Sequence, residues 1–197
     1  HNQGDCRYLA DLRAPTPPNM SSNENISPSV LNRLIKEVKE YSKNPVADIV
    51  LHVNEENVTD IRAEISGPAQ TPFEGGWFKL KLVFGPDFPS APPKGFMMTT
   101  LFHPNIAKNG EICVNTLKKD WKSDCKLAHI LMVIRCLLIE PNPESALNEE
   151  AGRMFMEDYD EYHRRARLMT SIHAIKDKDS AAAGSSYVAI GGGAERE

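Results

Sequence analysis

The chain has 197 residues, of which 41% are hydrophobic and 25% charged, and its formal net charge is −4. This size and balance are typical of one soluble globular domain with tails. The acidic balance argues against duplex DNA or RNA as the main partner, because proteins that bind duplexes normally carry a basic excess. The longest apolar stretch, Ile130 to Ile139, is ten residues long, whereas a membrane span needs about twenty. The polar first residues contain no secretory signal, so we expect an intracellular protein that binds neither nucleic acid nor a membrane.

Two terminal segments flank a predicted core domain at residues 20–173. Residues 1–19 contain the string APTPP and precede Met20, and we expect them to be a flexible extension, either vector-derived or upstream of the natural start. Residues 174–197 are rich in small residues and glycine, so we expect a flexible C-terminal tail.

The core begins with a predicted helix, which is followed by strands. Ser27 and Pro28 form a helix start signal, apolar residues then recur at helical spacing, and Asn44-Pro45 ends the pattern. Three runs then alternate apolar and polar residues, which predicts strands in an antiparallel meander with one wetter face. The runs are Ile49–Val53, Ile61–Ile65 and Phe78–Phe84, and a short fourth strand is expected at Phe96–Thr99.

Helices are predicted to return after a long irregular stretch from Leu101 to Lys126. A strongly apolar helix starts at Leu127, and two more are expected near residues 148–157 and 159–173. An N-terminal helix, a four-stranded antiparallel meander sheet and C-terminal helices together make an α+β fold.

Four cysteines occur, at positions 6, 113, 125 and 136, and none belongs to a C-x-x-C pair. An intracellular chain of this size has no need of disulfides, so we expect free thiols. A zinc site built from Cys113, Cys125 and His129 is the alternative, but these spacings match no common ligand pattern and lack an obvious fourth ligand. We therefore expect neither a metal nor a cofactor.

The irregular stretch LFHPNIAKNGEICVNTLKKDWKSDCK concentrates reactive residues, because His103, Asn105 and Cys113 fall within eleven positions. A long irregular segment inside a compact domain is usually functional or disordered, and cysteine is the best ready nucleophile among side chains. On these residues alone, a half-buried structural thiol is the favoured interpretation of Cys113. A cysteine hydrolase that uses Cys113 and His103 is a further interpretation, although no third orienting group is identifiable.

The order of several motifs resembles the ubiquitin-conjugating enzymes. The string HPN-x7-C ends at Cys113, Trp121 follows eight residues later, and FPSAPP lies upstream. Pro68 and the segments PFEGGWF and IEPNPESALNEEA continue the resemblance, which covers Ile26 to about His173. The strings NGEICVNTLK and PNPESALNEEAGR are similar to the S-type members of that family.

The resemblance implies the family's fold and its transfer chemistry. Cys113 would accept the carboxyl terminus of ubiquitin as a thioester from an activating enzyme and would pass it to a lysine amine. Such a thioester must survive long enough to travel, so a strong base beside the cysteine would be harmful. Asn105 would stabilise the oxyanion that develops during transfer, or its side chain would only pin the turn after Pro104.

Other active-site positions carry over from the same resemblance. His103, Pro104 and Trp121 would shape the active site without reacting. Ser145 stands where the family places Asp or Ser at the mouth of the active site. Its alternative role is to cap the helix that follows, because serine is a favoured N-cap residue.

The S-type resemblance implies two ubiquitin-binding surfaces. Arg135, Cys136 and Ile139 would pack on the donor ubiquitin, although Cys136 could equally be a core residue. Glu149 and Arg153 would orient an acceptor ubiquitin so that its lysine at position eleven is presented. The alternative for this second pair is ordinary helix-terminus charge, with Glu149 favourable near a helix start.

The chain differs from the family it resembles at two features that bind the ubiquitin ligase. Many family members dock a ligase through a bulky apolar residue in the FP-x-x-PP loop and a Ser-Pro-Ala after the tryptophan, whereas this chain has Ser90 and Lys122-Ser123-Asp124. S-type members instead reach a large cell-cycle ligase through a lysine-rich tail, but residues 174–197 contain three basic and four acidic residues. Either the chain is truncated, or that docking mode is absent.

The resemblance therefore implies ubiquitin, a ubiquitin-activating enzyme and a ubiquitin ligase as partners, in the cytoplasm and nucleus. A catalytically silent ubiquitin-binding scaffold is one alternative, although the presence of Cys113 after an intact HPN argues against it. A conjugating enzyme for another ubiquitin-like modifier is the other alternative.

Overall fold

A computed structural model describes residues 26–119, 121–175 and 187–191. Its elements in chain order are α1 (Pro28–Lys43), β1 (Ile49–Asn54), β2 (Ile61–Ser66), β3 (Trp77–Val83), β4 (Lys94–Met97), α2 (Val114–Lys118), α3 (Leu127–Ile139), α4 (Glu149–Glu157), α5 (Tyr159–His173) and β5 (Tyr187–Ile190). The strands form one antiparallel sheet in the order β4-β3-β2-β1-β5. The predicted α+β fold is confirmed.

Helix α1 begins where the sequence predicts. The Ser27 side chain accepts a hydrogen bond from the Val30 amide, and Pro28 occupies the first turn, where its missing N–H costs nothing. The Glu37 carboxylate accepts the amide of Leu127 at 2.6 Å and thereby caps α3. Because no side chain of its own segment caps α3, this contact fixes the start of α3 against α1.

Across β1, β2 and β3 one face of the sheet is buried, as period-two alternation predicts. Leu51 pairs with Ala63, and Ala63 pairs with Leu80, so apolar side chains line up across three strands. Each of these three residues is at most 1% exposed. Burying a side chain of leucine size stabilises a fold by about 1.5–3 kcal/mol, and these strands form one cluster with α1 and α3.

The sequence predicts four strands, and the structure has five. The fifth, β5, comes from the C-terminal segment and pairs with β1, with Leu51 opposite Ile190 and Asn54 opposite Tyr187. Its four residues are too few to show strand alternation, and the flanking glycines suggest a loop. Predictions for residues 1–19, 176–186 and 192–197 lie outside the described residues.

The sequence also predicts an irregular stretch from Leu101 to Lys126, but the structure places helix α2 inside it. A five-residue helix shows too little periodicity to be detected. Before α2 the chain is held by isolated bridges, Phe96 with Glu111 and Ile106 with Ile112. Phe96 belongs to β4, so the segment that carries Cys113 is attached to the β4 edge of the sheet.

The three later helices lie where they are predicted. Helix α5 packs against the start of β3, because Trp77 donates its amide to the carbonyl of Ala174 at 2.8 Å. A Cβ atom at Gly76 would lie only 2.7 Å from Thr170, so this close approach needs a glycine. No helix in the described ranges is both long and apolar enough to cross a membrane.

Candidate active site

His103 is a buried, neutral residue that holds the backbone around it. Its Nδ1 accepts the amide of Asn105 at 3.0 Å, so the proton lies on Nε2, which donates to the carbonyl of Leu137 at 2.9 Å. Burial lowers the pKa of His103 to about 4, although the bond to Leu137 acts in the opposite direction. Both ring nitrogens are occupied, which argues against the hydrolase interpretation, in which His103 would be the base.

Asn105 connects this turn to a second loop. Its Nδ2 donates to the carbonyls of Asn142 at 2.6 Å and Ser145 at 3.1 Å, and its Oδ1 accepts the amide of Asn142 at 2.8 Å. The residue is fully buried. Because an asparagine amide has two N–H hydrogens, both of its donors are engaged, and the geometry fits the pinning role that the sequence leaves open.

The carbonyl of Pro104 strengthens the same junction. It accepts hydrogen bonds from the amides of Leu147 and Asn148 at 2.8 and 3.0 Å. Asn148 is also the N-cap of α4, where its side chain accepts the amide of Ala151. The capping role considered for Ser145 is therefore wrong, because Asn148 occupies the cap position. Ser145 instead ends a 3₁₀ turn, Pro143–Ser145.

Cys113 lies immediately before helix α2. Its amide donates to the carbonyl of Asn105 at 2.9 Å, so the cysteine is tied to the HPN turn by its backbone. The residue is a free thiol and is 4% exposed. The thiol is therefore screened from bulk water, and its backbone is fixed at the start of α2.

Trp121 fastens the proline-rich loop to the active-site region. Its indole Nε1 donates to the carbonyl of Pro89 at 2.9 Å, and its ring lies 6.0 Å from the ring of Phe88. This geometry fits a shaping role, because the indole N–H is used within the protein.

The groove between α2 and α3 has a volume of about 770 Å³. Its lining includes Asn115, Lys118, Trp121, Met132, Cys136 and Ser145. It therefore runs from the surface of α3 to the loop pinned by Asn105. Asn115, two residues after Cys113, belongs to this lining, whereas Cys113 does not. A groove of this shape can hold an extended chain end along α2 and α3.

The three residues predicted to contact a donor ubiquitin divide into two environments. Cys136 is exposed and lines the groove, and Ile139 is 51% exposed at the end of α3. Arg135 instead donates to the carboxylate of Asp48 at 3.0 Å. Met132, which sequence analysis missed, is exposed four residues before Cys136. Its apolar spacing with Cys136 and Ile139 on one helix face is the signal that could have found it.

Helix α4 presents the predicted acceptor pair to solvent. Glu149 and Arg153 are exposed and four residues apart, so they share one face of the helix. Between them, Gly152 is buried, and a Cβ there would lie 2.8 Å from the Cβ of Ala146. The helix therefore packs closely against the residue that follows Ser145, and its exposed face has a fixed relation to the active-site loop.

Arg165 of α5 is a second anchor for α4 and was missed by sequence analysis. Its guanidinium forms an ion pair with Glu150, the neighbour of Glu149. The same group lies 4.2 Å from the centre of the ring of Phe102, which precedes His103. Nothing in the local sequence around Arg165 distinguishes it from the adjacent Arg164, because the contact joins residues far apart in the chain.

The zinc alternative finds no support in the described part of the chain, where no group of three or more His, Cys, Asp or Glu side chains is arranged to hold a metal. Cys125 accepts the amide of Lys122 through its sulfur at 3.3 Å. Within the described residues, the cysteines at 113, 125 and 136 form no disulfide.

These features define an α+β domain with a buried cysteine bonded through its backbone to an HPN turn. Residues 33–170 match the family model "Ubiquitin-conjugating enzyme". The chain belongs to the ubiquitin-conjugating enzyme family and is a ubiquitin-conjugating transferase. Enzymes of this class work with ubiquitin, an activating enzyme and a ligase.

Individual members of the family are more than half identical to this chain over the aligned residues. The chain is 59% identical over 155 residues to "Ubiquitin-conjugating enzyme E2 S" of Branchiostoma floridae, covering 78% of this chain and 73% of that protein. It is 57% identical to the protein of the same name from Nematostella vectensis, over 78% of this chain and 76% of that one. It is also 57% identical to "Ubiquitin-conjugating enzyme E2 22" of Arabidopsis thaliana, over 79% of this chain and 62% of that protein.

Proposed function

We propose that the chain accepts ubiquitin as a thioester on Cys113 and elongates ubiquitin chains linked through lysine eleven. The observation that carries the first half is the position of Cys113: its amide is bonded to the carbonyl of Asn105, and it lies two residues before Asn115, which lines the groove between α2 and α3. The second half is supported by the resemblance of the segment PNPESALNEEAGR to S-type members and by the exposed pair on α4.

The first chemical step is thioester exchange. The Cys113 thiolate attacks the thioester carbonyl on the activating enzyme, a new C–S bond forms, and the activating enzyme's cysteine leaves as a thiolate. His103 is fully buried with both nitrogens occupied. This arrangement supports transfer over hydrolysis, because it leaves His103 unable to activate a water molecule against the stored thioester.

The second step is attack by a lysine amine. The amine nitrogen bonds to the thioester carbonyl, the amine loses a proton to water, and the C–S bond breaks to release the Cys113 thiolate. Negative charge develops on the carbonyl oxygen before that bond breaks. We assign its stabilisation to the Asn105 amide, which must release one Nδ2–H from Asn142 or Ser145 to do so.

Lysine selection rests on the exposed face of α4. Glu149 and Arg153 place opposite charges four residues apart, where they can contact complementary charges on an acceptor ubiquitin. Each solvent-exposed pair is worth at most about 1 kcal/mol. Such contacts still choose among lysines, because specificity depends on energy differences between competing orientations. Holding the acceptor near the thioester also makes the attack nearly intramolecular.

The test begins with thioester formation. The purified chain is mixed with activating enzyme, ATP and ubiquitin, and reductant-sensitive adducts are measured on gels. We expect Cys113→Ala to lose the adduct, while the matched controls Cys125→Ser and Cys136→Ser retain it. A reductant-sensitive adduct on Cys113→Ala would contradict the assignment. Replacing ubiquitin with other ubiquitin-like modifiers and their own activating enzymes tests modifier choice, and charging with one of them in place of ubiquitin would contradict it too.

A further inference from the structure

Strand β5 occupies the outer edge of β1 at the C-terminal end of the described chain. Leu51, His52, Val53 and Asn54 pair in antiparallel register with Ile190, Ala189, Val188 and Tyr187. Residues 176–186 separate this short segment from the core. An extended segment that completes a sheet edge from outside the core domain has the geometry of strand addition, in which main-chain hydrogen bonds supply affinity and alternate side chains supply specificity.

One end of the segment is anchored by its tyrosine. The Tyr187 hydroxyl donates to the carboxylate of Asp60, and the guanidinium of Arg62 lies 4.5 Å from the centre of the tyrosine ring. Burial acts to raise the pKa of Asp60, but the hydrogen bonds from Tyr187 and Arg62 and the charges of Arg62 and Lys81 together lower it. Asp60 is therefore a charged acceptor, and a charged acceptor strengthens the hydrogen bond from Tyr187.

The other end is anchored by an aliphatic residue and a glycine. Ile190 packs against the buried apolar cluster of the domain. Gly191 has a φ of +92°, a left-handed conformation that favours glycine. A Cβ there would lie 3.0 Å from the Cβ of Pro45 and 3.1 Å from the carbonyl oxygen of Ile49. The edge of β1 therefore ends in a corner that accepts a residue without a side chain.

The two middle residues of the segment contribute to the contact with β1 mainly through their backbone. Val188 is 45% exposed, and Ala189 is also exposed. Recognition is thus concentrated in the first and last residues of the strand and in the glycine that follows. The edge of β1 therefore favours an extended segment with an aromatic residue, two variable residues, an aliphatic residue and a glycine, in that order.

We propose that the edge of β1 is a docking site for extended peptides of this pattern, and that Tyr187–Gly191 is its built-in occupant. The occupant is tethered to the domain, so it meets the edge at an effective concentration in the millimolar range typical of short linkers. A free peptide must compete with it. This activity goes beyond ubiquitin transfer and does not depend on the proposed lysine preference.

The docking site lies far from the catalytic cysteine across the sheet. The catalytic segment is attached through Glu111 to β4, whereas β5 occupies the opposite edge. Four strand spacings separate β5 from β4, roughly 19 Å at about 4.8 Å per spacing. Occupancy of the β1 edge and thioester formation on Cys113 should therefore be separable.

The test uses the full-length chain and a fluorescent peptide with residues 185–192, SSYVAIGG. The variant Ile190→Asp removes the aliphatic anchor of the built-in segment and should free the edge. We expect the peptide to bind this variant at least about tenfold more tightly than the unchanged chain, because the tethered competitor is displaced. The matched control Val188→Thr alters an exposed residue of the same strand and should bind the peptide as weakly as the unchanged chain.

Two further measurements locate the binding. The peptide with Tyr187→Ala should bind the Ile190→Asp chain at least about tenfold more weakly, and the native peptide should slow hydrogen exchange in Leu51–Asn54. Thioester formation should be unchanged in both chain variants. Equal peptide affinity for the unchanged and Ile190→Asp chains would overturn the proposal, provided that circular dichroism shows both folded. Slowed exchange confined to another surface would overturn it as well.

Discussion

The HPN turn and helix α4 flank the same active site but satisfy their polar groups in opposite ways. His103 and Asn105 are fully buried, and their side chains form two and three hydrogen bonds inside the protein, respectively. Glu149 and Arg153 are exposed on α4. A buried polar group without a partner is costly, so the turn has one geometry. On α4, by contrast, the charges remain available to contact an acceptor ubiquitin, and because they are exposed, each contact is weak.

The largest effect on activity should come from a substitution in the buried HPN turn. We expect Asn105→Ala to slow discharge of ubiquitin to free lysine by about a hundred- to a thousandfold, the usual cost of losing one oxyanion donor. The substitution also removes three hydrogen bonds to Asn142 and Ser145. Single-turnover discharge from preformed thioester measures the rate separately from charging.

A matched variant separates the two roles of Asn105. Asn142 forms its hydrogen bonds with Asn105 through its backbone, while its side chain accepts the amide of Glu144. Asn142→Ala therefore loosens the loop and leaves the Asn105 amide in place. If Asn142→Ala slows discharge as much as Asn105→Ala, positioning of the loop explains the whole effect. If Asn105→Ala discharges within about threefold of the unchanged enzyme, the oxyanion role is excluded.

The next effect is a pH dependence of stability from His103. Its pKa is about 4 in the folded chain, against 6.5 for the ordinary side chain. Between these values the unfolded chain binds more protons, so the stabilisation is fully present above pH 6.5 and is lost progressively as the pH falls towards 4. The full loss is about 3 kcal/mol at 1.36 kcal/mol per pKa unit.

Denaturant unfolding at several pH values between 7 and 4 measures this dependence. Carboxylates also titrate near its lower end, so the informative quantity is the difference between the unchanged chain and His103→Gln. We expect the variant to be less stable at pH 7 and to have a shallower loss of unfolding free energy between pH 6.5 and 4.5. Parallel curves would show that His103 does not carry the effect.

Features set by local sequence could be predicted, whereas those set by contacts between distant residues could not. The HPN turn, Cys113 and the helix boundaries follow from local motifs and periodicity. The partners of Asn105 lie 37 and 40 residues away, and no local pattern reports such tertiary hydrogen bonds. Helix α2 and strand β5 have five and four residues, so neither shows its period. The alternative role of Ser145 as a helix cap is wrong: it rests on the general preference for serine at caps, whereas Asn148 occupies the cap position.

On the exposed side, Glu149→Ala should lower the rate of ubiquitin chain formation by about fivefold, since one exposed pair is worth up to about 1 kcal/mol. Charging of Cys113 should be nearly unchanged. Added salt should weaken the same contact and slow chain formation while leaving the thioester intact. Glu157→Ala changes the same residue type at the far end of α4 and serves as the matched control.

Mass spectrometry of the linkages determines whether this contact selects a lysine. We expect chains made without a ligase to be linked mainly through lysine eleven, and Glu149→Ala to reduce that preference. A mixture without preference, unchanged by Glu149→Ala, would leave a general ubiquitin-conjugating enzyme and remove the lysine-eleven proposal.

The smallest effect should come from Arg165, where the two regions meet. Its guanidinium joins Glu150 at the start of α4 to the ring of Phe102 beside the HPN turn. Its side chain is 13% exposed, whereas that of the adjacent Arg164 is 73% exposed and pairs with Glu161. Arg165 therefore holds the acceptor-facing helix against the buried turn, and Arg164 is a matched control on the same helix.

Arg165→Gln should raise the KM for acceptor ubiquitin about two- to threefold, because α4 loses one of several anchors while Asn148 and Gly152 still hold it. Discharge to free lysine, which needs no acceptor docking, should be unchanged. Arg165→Lys keeps the charge opposite Glu150 but loses the planar group over Phe102. Its KM for acceptor ubiquitin should therefore lie between those of the unchanged enzyme and Arg165→Gln. Arg164→Gln should match the unchanged enzyme in both measurements. An equal loss of free-lysine discharge and chain formation in Arg165→Gln would mean that the arginine supports the HPN turn itself rather than the orientation of α4.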